Sequence, residues 1–312
     1  MPIIESVSVA AVAVPLDKVT SFSTRTVSER HYCLVKVRGK DGNEGIGFCY
    51  VGSAGGDIAK IAVEQLLAPK LIGQNSHRSE GLWMDMYNES ILQGRAGAVM
   101  RGISILDTAL WDLNARAAKL PLHQYLGSVV DDRVPAYASG GYYLDGKTPA
   151  MLGKEMESYV KKGFKAVKMK VGRLSPREEE ARVKAARKAV GEDVLLTLDA
   201  NNAWRDLPTA LEYVRRFEAY NPYWIEEPFS PDAIDLHAAL ARQTKINVAT
   251  GEMEAGRWRF RELIEAGGVA ILQSDAAVCG GITEWRRISA YADLKGVIVC
   301  PHWMHDLHAP LV

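Results

Sequence analysis

Six polar residues stand where short apolar runs end along the C-terminal two-thirds of the chain: Lys170, Asp199, Glu226, Glu252, Asp275 and His302. They recur roughly every 25 residues, the span of one strand, one helix and their loops in a β/α barrel. Strand ends on one face of such a barrel converge, so one functional group per strand can assemble a catalytic constellation from distant sequence.

The run AVKMK sets Lys168 and Lys170 two residues apart, on one face of a strand. Two adjacent ammonium groups repel, which lowers a lysine pKa and makes one of the pair a candidate neutral base. The next three runs, in LLTLDANNAW, YWIEEPF and NVATGEME, each present a carboxylate: Asp199, Glu226 and Glu252. Three hard oxygen donors suit an octahedral magnesium ion completed by water and substrate oxygens. Glu227 follows Glu226 directly and by strand alternation should point away from it, as an outer support. Asp275 and His302 stand on the following two strands, where a carboxylate beside an imidazole orients it and raises its pKa for general acid or base work. His305 and His308 fall beyond the strand end and read as solvated loop residues without a ligand role.

The elements that must position these groups follow a regular order. From Val134 onward, strand and helix alternate, with apolar runs at Val134–Ala138, Ala166–Lys170, Val194–Asp199, Trp224–Glu226, Asn247–Thr250, Ile271–Ser274 and Val297–Cys300. Thr148-Pro149 and Ser175-Pro176-Arg177-Glu178 mark helix starts by N-cap, N1 proline and capping-box chemistry. Before that, Ile3–Val14, His31–Val37 and Gly45–Val51 alternate as an antiparallel meander, with a polar loop expected over Asp17–Arg30 and a helical region over Ala59–Leu126. The expected organisation is α/β: an α+β domain over 1–127 and a β/α barrel over 128–312. The barrel shows seven strands and lacks the eighth, so it is read as C-terminally truncated. A gap is expected between Val134–Ala138 and Val297–Cys300, because the first and seventh strands cannot bond without distorting the barrel.

Composition narrows the partner. The 312 residues are 47% apolar, and Lys plus Arg equals Asp plus Glu at 38 each, so no overall basic field exists to hold nucleic acid. The four cysteines lie apart without CxxC spacing, which points to a reducing cytoplasm. The apolar N-terminus lacks a basic leader and alternates as a strand does, so no membrane segment is expected there. A small molecule is the expected partner.

The KxK pair, the Asp/Glu/Glu set, the Asp-His pair, GGITEW and ALWDLNARAAKLPLHQYLG together resemble the mandelate racemase subgroup of the enolase superfamily. The resemblance implies an N-terminal capping domain over the barrel mouth, Mg²⁺, homo-oligomerisation, and abstraction of the proton alpha to a substrate carboxylate. It places Lys170 as base on one face of the substrate and His302 on the other, with Lys168 helping to neutralise the charge that forms. A glutamate that the family commonly adds from the eighth strand is absent from this chain.

The half-reaction has two expected endings. Protonation of a departing β-hydroxyl by His302 gives dehydration; return of a proton to the α carbon gives racemisation of a 2-hydroxy acid. PHWMHDLH and DANNAW resemble the acid-sugar dehydratases, which favours loss of water from an aldonate or aldarate. Thr24 and Arg25, in the loop Ser21–Thr26, can bind a polyol and a second carboxylate, and Asn201 is by resemblance a hydroxyl ligand. A non-catalytic binding protein on the same fold is the alternative from another class. A metal-dependent hydrolase is disfavoured, because no histidine pair stands near the first barrel strand at Val134–Ser139.

Overall fold

The computed structural model describes residues 2–128 and 133–312. Three antiparallel strands come first: β1 (Ile4–Ser21), β2 (Thr26–Gly39) and β3 (Glu44–Gly52). Helices α1 (Gly56–Ile61), α2 (Ser79–Glu89), α3 (Gly97–Ala117) and α4 (Leu122–Tyr125) follow. The polar stretch Asp17–Arg30 is mostly strand rather than loop. After a register shift between Pro15 and Thr20, the β-branched pair Thr20↔Val27 and then Ser21↔Thr26 resume the ladder, leaving only residues 22–25 as the tip. Strand β3 crosses α3 so closely that a Cβ on Gly47 would lie 2.0 Å from the Ile105 carbonyl oxygen, and only glycine fits.

The remaining chain winds as β4 (Ala138–Gly140), α5 (Pro149–Lys161), β5 (Ala166–Lys170), α6 (Pro176–Val190), β6 (Leu195–Asp199), α7 (Leu207–Phe217), β7 (Trp224–Glu226), α8 (Ile234–Ala241), β8 (Asn247–Thr250), α9 (Arg257–Glu265), β9 (Ile271–Leu272), α10 (Ala276–Cys279), α11 (Gly281–Leu294), β10 (Ile298–Val299) and α12 (His305–His308). Its seven strands are all parallel and lie in sequence order from β4 to β10, a curled half-barrel. The first barrel strand starts at Ala138, later than Val134–Ala138 would place it; Pro135 offers no ladder donor, and the first pairing is Ala138↔Val167. Among the described residues no pairing joins β4 to β10, so the expected gap is present, and Ile298 at that edge stays 54% exposed. Among the described residues no helix is long and apolar enough to cross a membrane.

One apolar core runs from β2, β3 and α3 into α9, α10 and α11. A polar seam lies across it. Trp83 Nε1 donates to the Gly280 carbonyl (2.7 Å), the Gly280 amide donates to Ser104 Oγ (2.9 Å), and Asp107 accepts the Thr283 amide (2.8 Å) and hydroxyl (2.6 Å). A Cβ on Gly281, whose φ is 86°, would lie 2.5 Å from Asp107 Oδ2, which explains the glycine pair at this turn. The seam fixes the turn between α10 and α11, just after Asp275.

The end of β5 is held by a second buried device. Glu179 Oε1 accepts the amides of Gly172, Arg173 and Leu174 (3.1, 3.0 and 3.0 Å) and the Tyr143 hydroxyl, while Oε2 pairs with Arg182 at 2.6 Å. Arg182 in turn donates to the carbonyls of Lys170 (2.9 Å) and Gly141 (2.8 Å). Glu179→Ala strands a buried guanidinium and three amides, so it is expected to cost about 3–5 kcal/mol of stability. Urea unfolding measures this, and a cost below about 1 kcal/mol would assign the loop's order to other contacts.

Candidate active site

Strand register builds the site. Lys170 pairs with Asp199 and Asp199 with Glu226, so the ends of β5, β6 and β7 present these residues as one row. Lys168 lies one layer below, in register with Thr197. All four are buried. Lys170 Nζ sits 2.5 Å from Asp199 Oδ2, and Lys168 Nζ sits 2.5 Å from Glu226 Oε1 and 3.4 Å from Asp199 Oδ2. Trp224 Nε1 donates to the other Glu226 oxygen at 3.1 Å, and the Asn201 amide donates to Asp199 Oδ1 at 3.0 Å.

These pairings correct the expectation for the lysines. Burial alone would lower both pKa values, but the carboxylates opposite outweigh it. Glu226, with Tyr137 and Asp199 adding, holds Lys168 well above the usual lysine range, and Asp199 holds Lys170 above it despite repulsion from Lys168. Conversely, burial would raise Asp199, yet Lys170 and Lys168 hold it well below the usual carboxylate range. Burial and the Asp199 charge push Glu226 up to about 7, with Glu252 adding to the rise.

Strand alternation does not reach Glu227. Strand β7 ends at Glu226, and Glu227 takes φ 43°, so alternation no longer governs its direction. Its carboxyl is fully buried, among the described residues neither oxygen has a hydrogen-bond partner, and burial together with the charges of Glu252, Asp199 and Glu226 holds its pKa well above the usual range.

On the other flank, His302 Nδ1 lies 3.0 Å from Asp275 Oδ2, and His302 Nε2 lies 3.4 Å from Glu252 Oε1. Burial would lower the His302 pKa, but Glu252 and Asp275 raise it on balance. Asp275 caps α10 by accepting the Ala277 amide at 2.8 Å. His305 is exposed, whereas His308 is buried, contrary to the solvated loop expected of it. The two flanks interact through charge: Glu252 raises the pKa of Lys168, and Lys168 lowers that of His302.

The β1–β2 tip closes over the lysine side. Thr24 Oγ1 donates to the Asn201 carbonyl at 3.2 Å, and Ser23 Oγ donates to the Ala200 carbonyl. Phe22 lies 5.2 Å and Tyr142 5.5 Å, as ring centroids, from Lys170 Nζ. Asn201 is buried with φ 45° and its Oδ1 lacks a partner among the described residues, whereas Arg25 is exposed at the tip. Over His302, Tyr50 of β3 packs against Trp303 at 5.1 Å and Arg30 stacks on the same ring at 4.8 Å. Sequence reasoning missed Phe22, Tyr142, Tyr137, Glu179 and Arg182. Only the i, i+3 spacing of Glu179 and Arg182 carried a signal.

Magnesium fits the donor set. Asp199 and Glu226 already converge on one cation, the Lys168 ammonium, and the charge of Glu252 is felt by both Glu226 and Lys168. Among the described residues no three acidic, histidine or cysteine groups are drawn together tightly enough to hold an ion as they stand, and the two ammonium groups sit against Asp199 and Glu226.

Residues 4–127 match the mandelate racemase / muconate lactonizing enzyme N-terminal domain, and residues 151–311 match the enolase C-terminal domain-like family. The chain is 38% identical over 247 residues to an arabinonate dehydratase of Saccharolobus solfataricus, covering 79% of this chain and 66% of that protein's length. It is 31% identical to a 3,6-anhydro-alpha-L-galactonate cycloisomerase of Streptomyces coelicolor, over 97% of this chain and 83% of the relative. The crystal structure of L-talarate/galactarate dehydratase from Salmonella typhimurium LT2 liganded with Mg and L-lyxarohydroxamate superposes with a TM-score of 0.91 at 30% identity, covering 99% of this chain and 79% of that one. With both halves matched, the chain belongs to the enolase superfamily, in the mandelate racemase and acid-sugar dehydratase subgroup.

Proposed function

We propose that this chain, with Mg²⁺, removes the proton alpha to the carboxylate of an acid sugar and expels the β-hydroxyl, giving a 2-keto-3-deoxy acid. The observation that supports the reading is the placement of two groups able to move protons, each beside a carboxylate: Lys170 at the end of β5 beside Asp199, and His302 beyond β10 beside Glu252. When bound by Asp199, Glu226 and Glu252, the metal would supply neutralisation of the charge that grows on the substrate carboxylate and compete with the lysines for their carboxylate partners.

Lys170, relieved of that partner, takes the α proton. Lys168 stays as a buried cation facing the developing negative charge. His302, its other nitrogen held by Asp275, gives a proton to the departing hydroxyl, which leaves as water. The C–H and C–OH bonds break, a C=C bond forms, and the resulting enol tautomerises to the 2-keto acid. Phe22 and Tyr142 cover the base and exclude water from it, while Asn201 Oδ1, without a partner among the described residues, accepts a substrate hydroxyl.

The cycloisomerase relative favours a second reading. Where the β oxygen belongs to a ring, the same acid opens the ring and no atom is lost. Magnesium-loaded protein, incubated with aldonates, aldarates and their lactone or anhydro forms, separates the cases by mass. A 2-keto product lighter by one water is expected; a mass-neutral ring opening supports the second reading. Inversion of a 2-hydroxy acid with no keto product would make the protein a racemase. Magnesium binding without α-proton exchange across the whole panel would make it a binding protein.

A further inference from the structure

We propose that His308 is a positioning residue that clamps together the two chain segments carrying Asp275 and His302. The sheet does not reach either residue. Strands β9 and β10 pair only at Ile271↔Ile298 and Leu272↔Val299, and among the described residues the Cys300 amide to the Leu272 carbonyl (2.9 Å) is the last backbone hydrogen bond between the two segments. Asp275 and His302 each lie beyond that point.

His308 spans the opening. Its Nε2 accepts the amide of Ala276, the residue after Asp275, at 2.9 Å, and its Nδ1 donates to the carbonyl of Trp303, the residue after His302, at 2.7 Å. An amide can only donate and a carbonyl only accept, so the two bonds fix one tautomer with the proton on Nδ1. Nε2 lies 3.4 Å from Asp275 Oδ1 but has no proton to offer it. That oxygen takes the Ala277 amide instead, leaving Oδ2 for His302.

The backbone between the two histidines needs such a clamp. Trp303 and Met304 have φ of 44° and 39°, a left-handed pair without glycine, which persists only where surrounding contacts over-determine it. The Nδ1 bond to Trp303 is one of those contacts, and burial of the ring shields it from competing water. With the clamp in place, His302 holds Nδ1 against Asp275 and keeps Nε2 in the mouth.

The kinetic consequence rests on the function proposed above, so the test has one arm that needs no substrate. In the 312-residue chain, the His302 Nδ1 proton is observed by NMR as a downfield resonance and assigned by its loss in His302→Asn. In His308→Leu its exchange with water is expected to quicken roughly tenfold or more, as for a locally opened site. His308→Gln, whose amide oxygen can still accept from Ala276, should stay near wild type. If the leucine variant does not fold, His308→Asn, too short to reach Ala276, takes its place. An unchanged exchange rate in the folded loss variant overturns the proposal, whether or not any acid sugar is turned over. With magnesium and the acid sugar that wild type consumes, the loss variant should form product about 100-fold more slowly. Its α-proton exchange through Lys170 should fall far less. An equal fall in both, tracking a lower melting temperature, would make His308 a structural residue only and also overturn the proposal.

Discussion

Glu252→Gln is expected to weaken magnesium binding on the order of 10²-fold and to abolish turnover, because a carboxylate–metal contact supplies several kcal/mol and each 1.4 kcal/mol is a factor of ten. Among the three proposed ligands this is the cleanest to change. Asp199 and Glu226 are ion-paired to buried lysines, so removing either charge also leaves an ammonium short of its partner, which is destabilising in itself. Among the described residues Glu252 lies 3.4 Å from the His302 ring and reaches neither lysine within ion-pair distance. Its amide should therefore fold with little change in melting temperature. Calorimetric titration with magnesium reads the effect directly, and an unchanged affinity would remove Glu252 from the ligand set.

The positions of the carboxylates were legible because barrel geometry repeats. A polar residue ending each apolar run must arrive at the same mouth, and the in-register row Lys170, Asp199 and Glu226 is the physical form of that repeat. The same regularity made seven strands and their gap readable. What failed to be legible depends on partners far away in sequence. Nothing in KxK tells that acids sit opposite and raise both lysine pKa values. Nothing in HDLH tells that the second histidine is buried against the turn after Asp275. Strand alternation gave no valid direction for Glu227, because the strand ends at Glu226 and Glu227 lies in a left-handed turn. The Asp17–Arg30 stretch escaped because its polar composition suggested loop, while cross-strand pairing after Pro15 kept it in the sheet.

The electrostatics tie these points to the mechanism. Despite burial, Glu226 and Asp199 raise the pKa values of Lys168 and Lys170 above the usual lysine range, which favours their protonated forms. A buried lysine becomes a base only when its paired carboxylate is engaged elsewhere. In the proposed mechanism Asp199 is both a metal ligand and the partner of Lys170, so α-proton exchange is expected to depend on magnesium as strictly as product formation does.

Separating the two proton transfers gives the second large effect. Lys170→Ala should lose both α-proton exchange and product formation, by roughly 10³–10⁴-fold, near the upper end for a general base. His302→Asn should lose product formation by roughly 10²–10⁴-fold, since no acid remains for the departing hydroxyl. It should keep exchange, because Lys170, Asp199 and Lys168 are untouched and the asparagine can still hydrogen-bond Asp275. The measurement is deuterium incorporation at the α carbon in deuterated water, with magnesium and the acid sugar that wild type consumes, against the rate of 2-keto acid formation. If His302→Asn loses exchange as completely as Lys170→Ala does, the two residues are not on separate steps. His302 would then have to be reassigned as a partner in α-proton removal, the arrangement a racemase requires.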